Sequence, residues 1–358
     1  MKNIFYITNI FPFYRKPIWE LLLKEKAYNF HFYYSNQNLK GIKAVDDIQN
    51  EKLHLIKNYF FLGRIIWQKG VISEIIKKRP DNIILLGELN VISNWLIAIL
   101  SKYLKIEVIF WGHGLYGNEK LFKKFLRITF LKLADKHLLY GERAKEIMSK
   151  NGFNSSNLFV VYNSLDFEKQ NRHYKKLVNK SIKVENEILK LIFIGRLTKN
   201  KRLDILIKAI RKAKKPIELN IIGEGEEKKN LIELIKKYNL KFINFLGDIF
   251  DEGVISKKIY FSDLCVSPGN VGLTAIHSLT YGTPVLTHND FNFQMPEAEA
   301  LIENVSGIFF KKDDVNDLAM KLNSFRKNDF KKSKVREVVR IKYNSNFQKS
   351  VIDNLILN

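Results

Sequence analysis

The chain has 358 residues, 46% apolar and 13% aromatic, which is long for a single core and too apolar for a disordered chain. Its formal charge is +23, and residues 1–165 carry 25 Lys and Arg against 13 Asp and Glu, so the basicity is shared by both halves instead of collecting in a tail. That balance suits an anionic partner in a cleft between halves or an anionic membrane surface; no nucleic acid is expected, because there is no zinc-ligand spacing, RRM-type aromatic motif or basic arm.

The N-terminal run MKNIFYITNIFPFYRKP is interrupted by Thr8, Asn9 and Pro12 and does not read as a signal peptide. No apolar stretch reaches the roughly 18 residues of a spanning helix. The single cysteine, Cys265, lies in an apolar run and reads as a small buried hydrophobe, which fits a reducing cytoplasm. A cytoplasmic location follows, with peripheral attachment at the inner face of the plasma membrane as an option.

In chain order, strands are expected at Asn3–Thr8, Phe30–Tyr34, Leu53–Ile56, Asn82–Leu86, Glu107–Trp111, Lys136–Tyr140 and Leu158–Val161. Helices are expected at Lys16–Glu25, Ile65–Lys78, Ile92–Tyr103, Glu119–Ala134 and Gly141–Asn151. Such alternation predicts α/β units around a doubly wound parallel sheet. Residues 1–166 form this first domain, and the polar stretch 167–187 reads as a linker. Residues 188–339 repeat the pattern, with strands at Leu191–Ile194, Glu218–Ile222, Asn244–Leu246, Leu264–Val266, Val285–Thr287 and Gly307–Phe310. Helices start near Leu203, Glu227, Gly253, Thr274, Pro296 and Asp314. The C-terminal helix, about 340–358, is a candidate to pack back on the first domain.

Two segments carry chemistry. Leu189–Ile210 is a buried strand, a turn at Gly195, a basic loop with Arg196, Lys199, Lys201 and Arg202, and a helix with one apolar face. Cations delivered past a glycine to a helix start build an anion site, while a solvated lysine-rich loop is the plain alternative. Leu264–Thr287 is a strand, a loop of Gly269, Asn270, Val271, Gly272, Leu273 and Thr274, a helix bearing His277, and Gly282-Thr283-Pro284 before the next strand. That loop falls at the C-terminal edge of the sheet, where α/β folds bind ligands and helix-start N–H groups can take a phosphate. Gly223-Glu224-Gly225 before a helix is a weak dinucleotide signal and reads better as a strand–helix turn.

Together these segments resemble the family 4 (group 1) retaining glycosyltransferases of the GT-B fold. The resemblance rests on Gly195-Arg196-Leu197 with Lys201, on Gly282-Thr283-Pro284-Val285, on Tyr162 to Asp166, on Trp111-Gly112-His113-Gly114, and on Glu299 to Gly307. It implies two facing Rossmann-like domains with a cleft between them and a nucleotide-diphosphate sugar held mainly by the second. By that similarity Arg196 and Lys201 hold the donor diphosphate and serve catalysis with His113, whose glycine-flanked loop suits a contact to the transferred sugar. Gly195, Asn270 to Thr274, His277 and Glu299 line the donor site. No cofactor or metal is expected, since two fixed cations can neutralise the leaving diphosphate. The family's two loop glutamates are replaced by Gly269 and His277, and Glu297 or Glu299 is a candidate replacement carboxylate. His277 reads either as a ligand group or as a satisfied core histidine.

On the acceptor side, Arg15 belongs to an aromatic and cationic stretch with Phe11, Phe13, Tyr14 and Trp19, and Glu88 lies at a sheet edge. Glu88 serves equally as a helix N-terminal carboxylate. The helix around Leu121–Lys136 is amphipathic and basic, so it suits either anionic lipid or an ordinary core packing with a solvated lysine face. The expected activity is hexosyl transfer to a bacterial surface polysaccharide or lipid-linked oligosaccharide, as in lipopolysaccharide or capsule assembly. A nucleotide-sugar epimerase of the same fold and a non-catalytic anion-binding protein are the alternatives.

Overall fold

The computed structural model describes residues 1–37, 50–178 and 188–357, and the chain divides into two compact units, Met1–Asp166 with Ser345–Asn358, and Phe167–Asn344. In the first unit the order is β1 (Lys2–Ile7), α1 (Lys16–Leu23), β2 (Tyr28–Tyr34), β3 (Leu53–Leu55), β4 (Lys57–Phe61), β5 (Ile65–Lys69), α2 (Val71–Lys78), β6 (Asn82–Leu86), α3 (Ile92–Leu104), β7 (Glu107–Gly112), α4 (Leu121–Leu131), β8 (Lys136–Leu139), α5 (Glu142–Lys150) and β9 (Leu158–Val160). Seven strands pair in parallel in the order β3-β2-β1-β6-β7-β8-β9. Ile4 and Tyr6 of β1 enter the core on one face with Trp19 and Trp111, while Phe5 and Ile7 enter the other with Val71 and Phe110. Burial on both faces is why these strands read as unbroken apolar runs.

The second unit contains α6 (Phe167–Val178), β10 (Leu189–Ile194), α7 (Leu203–Lys212), β11 (Ile217–Ile222), α8 (Lys228–Lys237), β12 (Ile243–Phe245), α9 (Glu252–Tyr260), β13 (Leu264–Ser267), α10 (Leu273–Thr280), β14 (Val285–His288), β15 (Gly307–Phe310), α11 (Val315–Ser324) and α12 (Lys332–Arg340). Its six parallel strands run β12-β11-β10-β13-β14-β15. The order reverses at β10, which lies between β11 and β13. Connections leaving the C-terminal ends of β10 and β13 therefore diverge and leave a crevice for a ligand.

The last helix, α13 (Ser345–Leu357), belongs to the first unit, where Ile352, Leu355 and Ile356 join the core beside α1. Lys349 holds both Glu25 (2.5 Å) and Asp353 (2.7 Å), and Tyr28 donates to Asp353 at 2.6 Å.

Four expectations are corrected. The helix expected over Ile65–Lys78 begins only at Val71; Ile65–Lys69 pairs antiparallel with Lys57–Phe61, and Gly70, with a φ of 85°, separates strand from helix. The start of the expected linker is the helix Phe167–Val178, anchored by buried Phe167, Gln170 and Leu177; residues 179–187 lie outside the described ones. So few apolar positions leave little periodicity to read. The helix expected near Pro296 is a single 3-10 segment, Pro296–Ala300. Finally, Phe11 and Trp19 are fully buried and stacked on one another, so they are core residues, and Phe13 is the exposed aromatic of that stretch.

Candidate functional site

At the end of β10 the chain turns at Gly195 and runs as an extended loop to the 3-10 turn Lys199–Lys201. The β11–α8 turn packs directly on it: Gly195 N–H donates to Ile222 O at 3.0 Å and Leu197 N–H to Glu224 O at 2.8 Å. A Cβ on Gly223 would lie 2.1 Å from Gly195 O, and one on Gly225 would lie 2.4 Å from Leu197 O. The two glycines exist for this backbone approach, not as a dinucleotide fingerprint, and the approach fixes the segment carrying Arg196. The Arg196 side chain is exposed.

The β13–α10 loop packs from the other side. Gly269 N–H donates to Lys201 O at 3.0 Å, and the Lys201 ammonium donates to Asn270 O at 2.7 Å. A Cβ at position 269 would sit 1.9 Å from Asn200 O, so this site has no room for a glutamate in the loop geometry observed. Burial pulls the Lys201 ammonium down to about 8, with Arg196 lowering it further and Glu297 opposing the shift. Glu297 is buried in the Pro296–Ala300 segment, with Oε2 3.9 Å from where a Gly272 Cβ would be. Of the two candidate replacement carboxylates, Glu297 is thus the one whose charge acts on Lys201; Glu299 lies two residues on and is half-buried.

Around the start of α10 the expected donors divide. Val271 N–H is already taken by Gln294 Oε1 at 2.8 Å, and Gln294 is held in turn by Thr287 Oγ1 and His288 O, both at 2.9 Å. The Thr274 hydroxyl donates to Ile194 O at 2.8 Å and ties α10 to β10. As the first two helical residues, Leu273 and Thr274 have backbone N–H groups with no intrahelical acceptor. Asn270 Oδ1 is buried with no hydrogen-bond partner among the described residues, an acceptor that a ligand donor would satisfy.

His277 is a paired histidine. Its Nε2 lies 2.9 Å from Glu252 Oε1, which also accepts from the Tyr281 hydroxyl at 2.6 Å. Burial alone would raise the Glu252 carboxyl, but His277 and Tyr281 reverse that and hold it at about 2. Cys265 is fully buried, its thiol pushed up to about 12 by desolvation.

In the first unit His113 follows β7 and Gly114 (φ 59°) follows it; a Cβ there would meet Met148 Sδ at 2.6 Å. The imidazole lies between Tyr116 (5.5 Å) and Tyr140 (4.9 Å), with Nδ1 buried and unpartnered among the described residues. Burial, then Arg127 and Arg15, lower its pKa to about 4, so it is neutral at pH 7. The Arg15 guanidinium donates to Tyr6 (3.2 Å) and to the Tyr140 hydroxyl and lies over the Trp111 ring at 5.2 Å. Arg127 donates to Gly114 O at 2.6 Å and lies 4.5 Å from the Tyr116 ring centre. Glu88, in the turn after β6, acts electrostatically on Tyr116. This unit therefore gathers Arg15, Glu88 and His113 about a few aromatic rings. Among the described residues, no group of three or more His, Cys, Asp or Glu is placed to hold a metal ion.

Sequence reasoning missed Glu252, Gln294 and Arg127. Glu252 and Arg127 sit on helices and Gln294 in the connection after β14, none of them within a motif, and only Asp251 as a helix N-cap marks Glu252 as a helix start.

Residues 175–342 match the family model described as glycosyl transferases group 1. The O-antigen biosynthesis glycosyltransferase WclY of Escherichia coli is 31% identical over 153 residues, 40% of this chain and 42% of the relative. The amylovoran biosynthesis glycosyltransferase AmsD of Erwinia amylovora is 25% identical over 223 residues, 61% of this chain and 58% of the relative. The chain thus spans less than two thirds of the length of these curated relatives. Among solved structures, a lipopolysaccharide outer core galactosyltransferase, WaaB in its apo form, superposes with a TM-score of 0.74 at 14% identity, covering 100% of this chain and 99% of that one. Anabaena Alr3699/HepE in complex with UDP superposes with a TM-score of 0.72 at 15% identity, covering 100% of both chains. These likenesses show the fold: two Rossmann-like α/β domains of the GT-B class.

Proposed function

We propose that the protein transfers a sugar from a nucleotide-diphosphate sugar to a bacterial surface polysaccharide or lipid-linked oligosaccharide, a reading supported by the match of residues 175–342 to the group 1 glycosyltransferase model. The observation that carries this is the paired loop at the ends of β10 and β13. It holds the Lys201 ammonium on Asn270 O beside Arg196, next to the open start of α10. An ammonium whose burial is costly gains most from a diphosphate partner. Arg196 and Lys201 take the charge that develops on the leaving diphosphate, so no metal is required. Leu273 and Thr274 N–H add helix-start donors, and Asn270 Oδ1 accepts from a donor hydroxyl or amide. Solved neighbours crystallised with UDP and with UDP-glucose support a nucleotide sugar of that class.

In a retaining transfer the bond between the anomeric carbon and the diphosphate oxygen breaks as the acceptor hydroxyl bonds on the same face. The hydroxyl proton passes to the departing diphosphate oxygen. His113, neutral at pH 7, contributes hydrogen bonds to the sugar without acting as a proton donor of ordinary strength. Arg15 and Glu88 serve the acceptor side, and a cytoplasmic enzyme of this kind works at the inner face of the plasma membrane.

The test is a thermal-shift panel with UDP-, GDP-, ADP- and dTDP-sugars, with and without EDTA. A donor at one hundred times its Kd adds about 2.7 kcal/mol of stability. Stabilisation by one nucleotide class, unchanged by EDTA, supports the reading; no shift with any of them refutes donor binding. Conversion of the donor sugar in the absence of acceptor would instead favour the epimerase.

A further inference from the structure

In the first unit β1 pairs with β2 on one side and with β6 on the other, so the strand order reverses at β1 as it does at β10 in the second unit. The connections that leave β1 and β6 diverge there and open a crevice at the C-terminal edge of the sheet. Arg15 comes from the first of these connections, Glu88 from the second and His113 from the one after β7.

Three guanidinium groups surround the His113 loop. Arg15 lies over Trp111 and Tyr140, each at 5.2 Å. Arg127 is 4% exposed; its Nε donates to Gly114 O, and its Nη2 is buried with no partner among the described residues. Arg143 Nη2 lies 3.7 Å from where a Gly117 Cβ would be. Trp111 Nε1 and His113 Nδ1 are buried without partners in the same sense. All three of these orphaned nitrogens can donate, Nδ1 in one of its tautomers, so the group that would satisfy them is an acceptor. The acids nearby are committed elsewhere. Glu119 stands 3.9 Å from Arg127 Nε, and its oxygens already accept from Tyr116 N–H at 2.8 Å and Gly117 N–H at 2.9 Å. Both charges that act on His113 are cations. A desolvated guanidinium nitrogen without an acceptor is costly, and an oxyanion removes that cost.

Tyr116 covers this group in the structure. Its ring centre is 4.5 Å from the Arg127 guanidinium carbon and 5.5 Å from that of His113, and the residue is 36% exposed. The loop backbone is pinned on α5: a Cβ at Gly114 would meet Met148 Sδ at 2.6 Å, and one at Gly117 would meet Ile147 Cδ1 at 2.9 Å. Access is therefore controlled by the Tyr116 side chain, whose ring is also a surface for the apolar face of a sugar.

We propose that this crevice binds an oxyanion carried by a sugar, a carboxylate or a phosphate monoester. Resting on the transferase reading above, the acceptor glycan is then acidic close to the hydroxyl that takes the new sugar. Arg127 and His113 hold the oxyanion once Tyr116 turns aside, and Arg15 adds its charge.

The test is a titration of the full chain with glucuronate, glucose 6-phosphate, glucose and inorganic phosphate, followed by calorimetry and by the NMR signal of the His113 ring, assigned by its loss in His113→Gln. Glucuronate or glucose 6-phosphate should bind about tenfold or more tightly than glucose and shift that signal. Arg127→Gln should weaken the acidic sugars by about tenfold or more. Tyr116→Ala, which alters a partly exposed side chain, should keep the melting temperature and bind them at least as tightly. Arg196→Ala, on the second unit, should leave this binding unchanged. If the transferase reading is at fault, the nucleotide-sugar panel fails while this binding persists; if the site is at fault, this binding fails with the panel intact. The proposal is overturned if glucose binds as well as the acidic sugars, if Tyr116→Ala abolishes binding, or if Arg196→Ala is as damaging as Arg127→Gln. Inorganic phosphate binding as tightly as glucose 6-phosphate would reduce the crevice to a simple anion site and overturn the acceptor assignment. So would a preference for UDP-glucuronate over UDP-glucose that Arg127→Gln abolishes, which would give the site to the donor sugar.

Discussion

Titrating the donor site through Lys201 tests the site at the atom on which the proposal depends most. Burial holds this ammonium at about 8 against an ordinary 10.5, so near pH 7 it is charged and above pH 8 the empty site loses its proton. If only the ammonium form takes the diphosphate, about nine-tenths of the protein is competent at pH 7 and about one-tenth at pH 9. The Kd for the nucleotide sugar should therefore rise about tenfold over that interval. Because a bound diphosphate raises the Lys201 pKa, binding at pH 9 should also take up close to one proton. Isothermal calorimetry in buffers of different ionisation enthalpy measures both quantities. Lys201→Arg keeps its charge across the range, so its pH slope should flatten, and any slope that remains belongs to the ligand. A wild-type Kd constant within about twofold from pH 7 to pH 9, with no proton uptake, would refute the reasoning.

Further outcomes follow from the same geometry. Arg196→Ala should lower kcat/KM by an amount equivalent to about 2–4 kcal/mol; a loss under threefold would remove it from diphosphate stabilisation. Gly269→Ala forces its Cβ to within 1.9 Å of Asn200 O, so the loop must move; both the melting temperature and donor affinity should fall, whereas a neutral result would show that the loops yield freely. His113, His137 and His288 are each held neutral by burial, with pKa values near 4. The unfolded chain binds those protons below about 6.5 and the folded chain does not, so stability is intact above that pH and declines toward pH 4 by roughly 1.4 kcal/mol per unit for each group. His137→Leu should remove part of that slope in urea unfolding at stepped pH. Glu252 works in a lower window: its depressed carboxyl adds stability that is present above about pH 4.5 and lost as pH falls toward 2. Glu252→Gln should flatten that acid limb, and an unchanged limb would show that the His277 contact adds nothing.

Most of the fold was legible because the signals are local. Asn82–Leu86, Gly307–Phe310 and the start of the helix at Leu203 follow from apolar runs and helical spacing bounded by turn residues, and burial on both sheet faces leaves that pattern unambiguous. The basic loop after Gly195 and the small-residue loop after β13 were also visible, since each is contiguous in sequence. Ile65–Lys69 escaped because its partner strand is antiparallel and follows no parallel-sheet rule, and Phe167–Val178 because three buried residues leave too little period to detect.

Contacts between distant segments were decided only in three dimensions. A glycine at 269 is a missing side chain in the sequence; in the structure it is the space that Asn200 O occupies. The pairing of His277 with Glu252, which Tyr281 shares, and the burial of Glu297 with its charge acting on Lys201 while Glu299 is half-buried, appear only in the tertiary structure. Likewise the exposure of Leu121, Phe122 and Phe125 on the basic helix Leu121–Leu131, whose Phe130 and Leu131 are buried, came only from the packing. Periodicity fixes which residues share a face of an element, but which face meets a partner, and what charge that partner brings, depends on chain closure over tens to hundreds of residues. Local sequence carries no record of that.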